Sequence, residues 1–423
     1  MEYSESEVLQ YIAENDVKFI KLFFTDIFGA IKSISVQPSV LKRAFKEGVS
    51  FDASAVKGFL STTKSDLFIV PDPTTLSVLP WRPQHGRVVR FYCNIRYPDG
   101  KPFEGDSRLI LQNVMDRAAK LGYDIKIGTE CEFYLFRLDE NGQPTPVPHD
   151  NAGYCDLAPR DKGENVRRDI ILNLSQMGIE PETSHHETGP GQNEIDFKYN
   201  TAVIAADNFA TFKTVVKTIA AQDGLFASFM PKPIEGQAGS GLHINISLHK
   251  NGKNLFDNET LPEEAKEFIA GILYRIKEIT VFLNPLPNSY KRLGSFEAPR
   301  YVSWSRQNRS QLIRIPAASG ENVRIELRSP DPSCNQYLAL ALIIAAGLEG
   351  LEEKRPLSAA KDIDLFNADS AQVKNLDSLP KTLPEAIKLA EKSDFIKKIL
   401  PEVTIKAFAD SENNIEDPAF GEL

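Results

Sequence analysis

The chain has 423 residues, of which 42% are hydrophobic and 25% charged, and its formal net charge is -9. That length exceeds one average domain and allows a sizeable core, so one large domain plus a smaller one is expected. The acidic balance, with no long basic run, argues against nucleic acid or an anionic membrane as the partner and leaves small molecules and other subunits. Cys93, Cys131, Cys155 and Cys334 are scattered without CxxC spacing, so neither a zinc motif nor a redox motif is indicated and a reduced, cytoplasmic setting is expected. The N-terminus is acidic and amphipathic, and the longest apolar run, around residues 338–346, is too short to span a bilayer. No targeting or anchoring segment is expected.

In chain order, Ser4 and Glu7 predict a capping box at the start of a short helix. "VKFIKLFFTD" and "AIKSISV" then read as strands joined by a turn at Phe28 and Gly29, and "SDLFIVPDPTTLSVLPWRP" and "GRVVRFYCNIRY" as further strand. The turn-prone "PDGKPFEGD" closes this small α+β unit and places a boundary near residue 102, giving domains 1–102 and 103–423. Beyond it, helices and strands intermix. Arg108–Lys120 and Glu263–Leu283 have apolar residues at helical spacing, the second with Phe268, Ile272, Ile276 and Ile279 on one stripe, and both are read as packing helices. No internal repeat or low-complexity segment is present.

Several strands carry a polar face that is heavily equipped. In "IKIGTECEFYLF", Ile125, Ile127, Cys131, Phe133 and Leu135 alternate with Lys126, Glu130, Glu132 and Tyr134, so two carboxylates project from one side. Like charges so placed destabilise a sheet unless something neutralises them. "SHHETGPGQNEIDF" sets Glu187 and Glu194 seven residues apart across a Gly-Pro-Gly turn, so both can return to one site. His185 and His186 are adjacent and face opposite sides of a strand, so one of them is expected to be packed behind the site. "GSGLHINISLH" sends His243, Asn245, Ser247 and His249 opposite Leu242, Ile244, Ile246 and Leu248, and "VRIELR" sends Arg324, Glu326 and Arg328 opposite Val323, Ile325 and Leu327. Any one of these fits a half-exposed strand of an antiparallel sheet. Together, five glutamates and one histidine make a candidate ligand set for two divalent cations, with hard oxygen donors that suit magnesium or manganese better than zinc. Two metals beside the arginines of "NSYKRL", "NRSQLIRIP" and "RIELR" point to phosphoryl transfer. A glycosidase accounts for paired carboxylates but not for His243 and the arginines, and a zinc peptidase would carry HExxH.

The whole chain resembles a type I glutamine synthetase. The stretches that carry the likeness are "FDASAVKGF", "SDLFIVPDPTT", "PFEGDSR", "ECEFYLF", "HHETGPGQNEIDFKY", "FMPKP", "GSGLHINISL", "NSYKRL", "NRSQLIRIP" and "RIELRSPDPSCNQYLALA". The step from Glu187 to Glu194 resembles the shorter, feedback-controlled branch rather than the adenylylated one. The resemblance implies an α+β architecture, a β-grasp N-terminal domain followed by a catalytic domain whose antiparallel strands form a funnel surrounded by helices. It implies that Glu132, Glu187 and Glu194 hold one metal and Glu130, His243 and Glu326 a second, either Mg2+ or Mn2+. The implied reaction is glutamine formation from glutamate, ammonium and ATP through γ-glutamyl phosphate. Arg309 and Arg314 would stabilise the transferring phosphate, with Arg314 also on the nucleotide side. Arg292 and Arg328, with Tyr154 and Gly239, would hold the amino acid. Asp52 would take a proton from ammonium, and Glu297 would close a flap that excludes water. Glu182, Phe197, Lys198, Tyr199, Asn245 and Ser247 would contact ATP. Active sites between subunits are implied, hence self-association into a hexameric ring or stacked rings, with Asp52 reaching the neighbour's metals.

Four positions depart from the family pattern. Ala238-Gly239-Ser240-Gly241 stands where Asn-Gly-Ser-Gly is usual, and the lost carboxamide normally helps to organise the pocket. The flap Leu293-Gly294-Ser295-Phe296-Glu297 is one residue shorter than usual and lacks proline, Gln336 replaces a proline, and Ala55 replaces a serine after Asp52. These changes leave open a ligase that joins glutamate to a larger amine, or a weakly active or non-catalytic homologue with a regulatory binding role. The intact metal and arginine set favours glutamine formation. Near "DIDLF", Phe366 has no hydroxyl, so adenylylation is not expected, and the chain ends at "IEDPAFGEL" without the family's terminal clasp, so a single hexamer is weighed beside the two-ring assembly.

Overall fold

Ser4 and Glu7 cap the first helix reciprocally. The Glu7 amide donates to Ser4 Oγ (3.4 Å) and the Ser4 amide to Glu7 Oε2 (2.8 Å), which opens Glu5–Glu14 and buries Val8 and Ile12. The computed structural model describes residues 3–82, 85–257 and 259–410, so "IEDPAFGEL" lies outside the described residues. The N-terminal sheet runs Ile31–Val36, Val17–Thr25, Arg87–Arg96, Asp66–Pro71, Val49–Asp52 in spatial order, with Ser77–Val78 also paired to Arg87–Arg96. Val17–Thr25 and Arg87–Arg96 are parallel neighbours, and helices Glu5–Glu14 and Pro38–Glu47 cover one face over a core that includes Ile20, Leu22, Leu41, Phe45 and Phe91. This is the β-grasp arrangement. The stretch read as continuous strand from Ser65 to Pro83 is interrupted after Pro71 by a 3-10 turn at Pro73–Thr75. Pro71 and Pro73 have no amide to extend the ladder there.

The second unit is built on an eleven-stranded sheet. Its main path is Trp304–Arg306, Ile313–Ile315, Ile325–Leu327, Leu242–Lys250, Tyr123–Leu138, Gln192–Phe197, Pro181–His186, almost all antiparallel. The apolar residues of the alternation, Ile125, Ile127, Cys131, Phe133 and Leu135, join one core with helices Ser107–Lys120, Ala202–Gln222, Glu263–Leu283 and Gln336–Glu352. Phe268, Ile272, Ile276 and Ile279 are all fully buried, as their helical stripe predicts. Leu242–Lys250 is not half-exposed. His243, Asn245, Ser247 and His249 are buried along with the leucines and isoleucines opposite them, and Asn245 and Ser247 line one recess of the surface and His243 another.

The two units are joined by buried polar contacts. Arg108 donates to both oxygens of Asp207 (3.0–3.3 Å) and to Asp72 (3.0 Å), and Tyr92 Oη donates to the Asp207 carbonyl (2.8 Å). Asn335 caps Gln336–Glu352 through the Tyr337 amide and also donates to the Ile27 carbonyl (3.0 Å). Beside it Gln336 is 2% exposed, and neither atom of its carboxamide has a hydrogen-bond partner among the described residues.

Candidate active site

The ladder register stacks the acidic residues face to face. Glu130 stands opposite His243 on one side and Asp196 on the other, Glu132 opposite Glu194, and Glu326 opposite Asn245 and Arg314. Cross-strand neighbours of this kind touch through their side chains. Glu130, His243 and Glu326 form one group whose donor atoms lie within 4.8 Å of one another, and His185, Glu187 and Glu194 form another. In the first, His243 Nδ1 lies 3.3 Å from Glu130 Oε2 and 3.7 Å from Glu326 Oε1. Burial pushes the Glu130 carboxyl up, but hydrogen bonds from His243 and Asn245 and the Arg324 charge outweigh it and hold the group at about 2. In the second, burial and the facing Glu132 carboxylate push the Glu194 acid well above its ordinary range, and burial, with Glu187 adding to it, raises Glu132 despite the opposing His243 and Arg292 charges. Several buried carboxylates held this close raise one another's cost of ionisation, and a hard divalent cation is what such an oxygen set fits.

Glu132 faces Glu194 of the second group across the ladder. Its Oε2 accepts from the Gly241 amide (2.7 Å) and from Gln192 Nε2 (3.1 Å). A Cβ on Gly241 would lie 2.7 Å from Arg292 Nη2 and 2.9 Å from His243 Nε2, and one on Gly239 would lie 2.4 Å from the Pro231 carbonyl. Only glycine lets this loop pass so close. Of the two adjacent histidines, His185 faces Glu187 (2.9 Å) and His186 is fully buried against Asp150 (2.9 Å), one toward the site and one behind it.

Two cavities are lined by these carboxylates. A 470 Å³ cavity is lined by Glu130, Glu182, Phe197, Lys198, Tyr199, Asn245 and Ser247, and also by Thr183, Asp196 and Arg324. A 130 Å³ cavity is lined by Glu132, Glu187, Gly239, His243, Arg292, Arg328 and the flap residues Phe296 and Glu297. Glu130 and Glu132, two apart on one strand face, thus border one cavity each. Arg292 is fixed by donating to the Ser329 and Arg328 carbonyls (2.8 and 3.2 Å). Arg328, 1% exposed, donates to the Arg309 and Glu297 carbonyls (2.6 and 3.4 Å).

The remaining residues predicted from sequence sit around this centre. Arg314 lines neither cavity and donates to Glu326 Oε2 (2.6 Å). Arg309 is exposed, close enough to Arg314 to depress its basicity after burial has done so. Tyr154 is 60% exposed, its ring edge-on to His185 at 5.3 Å. Asp52 is exposed on the N-terminal sheet, its Oδ1 accepting from the Ser54 amide and hydroxyl (2.9 and 2.6 Å), and it lines neither cavity. Sequence reasoning missed Gln192, Asp196 and Arg324. The first two follow from carrying the period-two face of Glu194 one step each way, and Arg324 was on the charged face but was given no role.

Chain similarity agrees with this geometry. Residues 16–98 match the family model described as glutamine synthetase, beta-Grasp domain, and residues 104–418 the one described as glutamine synthetase, catalytic domain. A glutamine synthetase of Clostridium saccharobutylicum is 47% identical over 405 residues, covering 94% of this chain and 91% of that one. A glutamine synthetase of Staphylococcus aureus is 44% identical over 419 residues, covering 97% and 94%. The solved structure described as "GmaS/ADP complex-Conformation 1" superposes with a TM-score of 0.87 at 30% identity over 97% of each chain. With the two-unit fold and the paired carboxylate groups between two cavities, these matches establish that the chain belongs to the glutamine synthetase family.

Proposed function

We propose that this protein is an ATP-dependent ligase that forms L-glutamine from L-glutamate and ammonia, releasing ADP and phosphate. The carrying observation is the row of carboxylates between a cavity large enough for a nucleotide and a smaller one lined by Arg292, Arg328 and Glu297. Glutamate occupies the smaller cavity with its α-carboxylate on the arginines, and ATP occupies the larger. A γ-carboxylate oxygen bonds to the terminal phosphorus as ADP leaves, giving γ-glutamyl phosphate. Arg309 neutralises the charge that develops on the phosphate oxygens, and Arg314, held on Glu326 (2.6 Å), acts through that carboxylate. Glu297 keeps water off the acyl phosphate. Ammonium gives one proton to a carboxylate, which we assign to Asp52, the resulting ammonia attacks the acyl carbon, and phosphate leaves with the second nitrogen proton. Two divalent cations, magnesium or manganese, held by Glu132, Glu187 and Glu194 and by Glu130, His243 and Glu326, supply Lewis-acid charge when bound.

Because Asp52 is exposed and lines neither cavity of its own chain, we assign it to the site of a neighbouring subunit in a ring of copies. Four unpaired cysteines support a reducing, cytoplasmic setting, and among the described residues no helix is long and apolar enough to cross a membrane. The test is phosphate release by purified protein with Mg2+, ATP and glutamate, comparing ammonium with methylamine, ethylamine and a polyamine. Ammonium is expected to be the best acceptor, and clear preference for a larger amine would overturn the assignment.

A further inference from the structure

Lys232 lines neither cavity, yet its backbone is clamped at both ends. Its amide donates to Asn288 Oδ1 (2.6 Å) and its carbonyl accepts from Asn288 Nδ2 (3.0 Å), which fixes it to the start of the helical turn Ser289–Arg292. From there Nζ donates to the Gln237 carbonyl and to Ser295 Oγ (3.2 Å), and it lies 4.2 Å from the centroid of the Phe296 ring. One ammonium group therefore bridges two walls of the smaller cavity, the loop leading into Ala238 and Gly239 and the turn Ser295–Ala298. That turn is tight. Ser295 donates its amide and hydroxyl to the Arg292 carbonyl (2.9 and 2.7 Å), and the Ala298 amide donates to the Ser295 carbonyl (3.1 Å). Phe296 is 51% exposed with φ +50°, a left-handed conformation that is strained for a bulky residue and persists only where neighbours hold it. With no proline between Leu293 and Glu297, side-chain contacts add to the backbone hydrogen bonds that hold this turn.

We propose that Lys232 is a positioning residue that latches the flap over the amino-acid cavity, keeping Glu297 on the site and water off the acyl phosphate. The inference rests on the ligase reading above. A cation over an aromatic face joined to a hydrogen bond from the same cation is a pairing strong enough to bias a short turn. Lys232→Met keeps the stem and removes the charge, Lys232→Arg restores a cation, and Phe296→Leu removes the ring alone. On the full-length protein, phosphate and glutamine are counted together, with and without ammonium, while hydrogen exchange is followed over residues 293–298 and melting temperature serves as the control for folding. Lys232→Met should raise ammonium-free phosphate release roughly tenfold, make phosphate exceed glutamine, and speed exchange in the flap but not in Gln336–Glu352. Phe296→Leu should do so more weakly, and Lys232→Arg should return toward the parent. One phosphate per glutamine with unchanged flap exchange in Lys232→Met would overturn the latch, as would a loss of rate that leaves both readouts where they were. A parent protein that makes no glutamine would refute the ligase reading alone, since flap exchange still decides the latch.

Discussion

Replacing Glu326 tests the electrostatic heart of the site. This carboxylate is 1% exposed, accepts from Arg314 Nε at 2.6 Å, and lies 3.5 Å from Arg328 Nε and 3.7 Å from His243 Nδ1. Arg328 Nε has no hydrogen-bond acceptor among the described residues, so Glu326 is the nearest compensation for its charge. Burial already disfavours the charged form of Arg314, with Arg309 and Arg328 adding to that and Glu326 opposing it. Glu326→Ala strips the negative charge from between buried cations, and removing one partner of a buried pair costs about 3–5 kcal/mol. With an unfolding entropy of roughly 2.1 cal/mol/K per residue over the catalytic unit, that is a fall in Tm of about 4–8 °C. Glu326→Gln keeps an acceptor for Arg314 and should lose about half as much, a neutral acceptor being roughly half as effective as a charged one. Calorimetry in EDTA gives the two shifts without metal, and repeating it with millimolar Mn2+ should raise the parent's Tm more than that of Glu326→Ala, which keeps only the Glu132, Glu187 and Glu194 set. A Glu326→Ala protein that melts within about 1 °C of the parent in EDTA would refute this reasoning.

Four further outcomes follow from the geometry. Gly239→Ala puts a Cβ 2.4 Å from the Pro231 carbonyl and 3.0 Å from Arg292 Cγ, so the apparent KM for glutamate should rise roughly tenfold or more while nucleotide affinity, by titration calorimetry, stays near the parent's. Asp52→Asn and Glu326→Ala should each be nearly inactive, but subunits exchanged one to one should regain activity at roughly a quarter of their sites if Asp52 serves its neighbour; no regain would place it elsewhere. Gln336→Pro removes a buried carboxamide with no partner at the first turn of Gln336–Glu352, where proline is tolerated, and should raise Tm measurably, equivalent to about 1–3 kcal/mol. The Asp150–His186 pair sets an acid limit. Burial raises Asp150, but hydrogen bonds from His186 and the Lys162 amide win and hold it well below the usual carboxylate range. For His186, burial is outweighed by Asp150 and the Glu187 carbonyl, which raise it. Asp150's contribution is whole above about 3.9 and lost as pH falls through its depressed value, while His186's is whole below about 6.5 and lost as pH rises through its raised one. Denaturant midpoints against pH should show the pair strongest between those limits, and Asp150→Asn should flatten the acid limb.

Much of this was legible because the relevant signals are local and periodic. Alternation along residues 125–135 and 242–249 fixed which side chains share a face, and the ladder register then brought Glu130 to His243 and Glu132 to Glu194. What alternation cannot show is how much water reaches a face. His243 and Asn245 were compatible with a half-exposed strand and proved buried, because they line recesses whose other walls come from residues distant in the chain. Residues that act through one another were also hidden. Gln192 bridges Glu132 and the Gly239 carbonyl, and Lys232 reaches Ser295 across 63 positions of sequence. No pattern along the chain encodes such distant pairings. Arg314 shows the converse, since its residue type fits phosphate while its place in the ladder puts it directly on Glu326.

Everything in this chemistry turns on activation of the γ-carboxylate of glutamate by phosphoryl transfer from ATP before nitrogen attacks. Glutamate labelled with ¹⁸O in both γ-carboxylate oxygens tests this most directly, with mass spectrometry of the phosphate and the glutamine formed in the presence of ammonium, ATP and Mg2+. One labelled oxygen in each phosphate and one retained in each glutamine is the predicted result. Phosphate free of label, released while glutamate keeps both of its labelled oxygens, would contradict it.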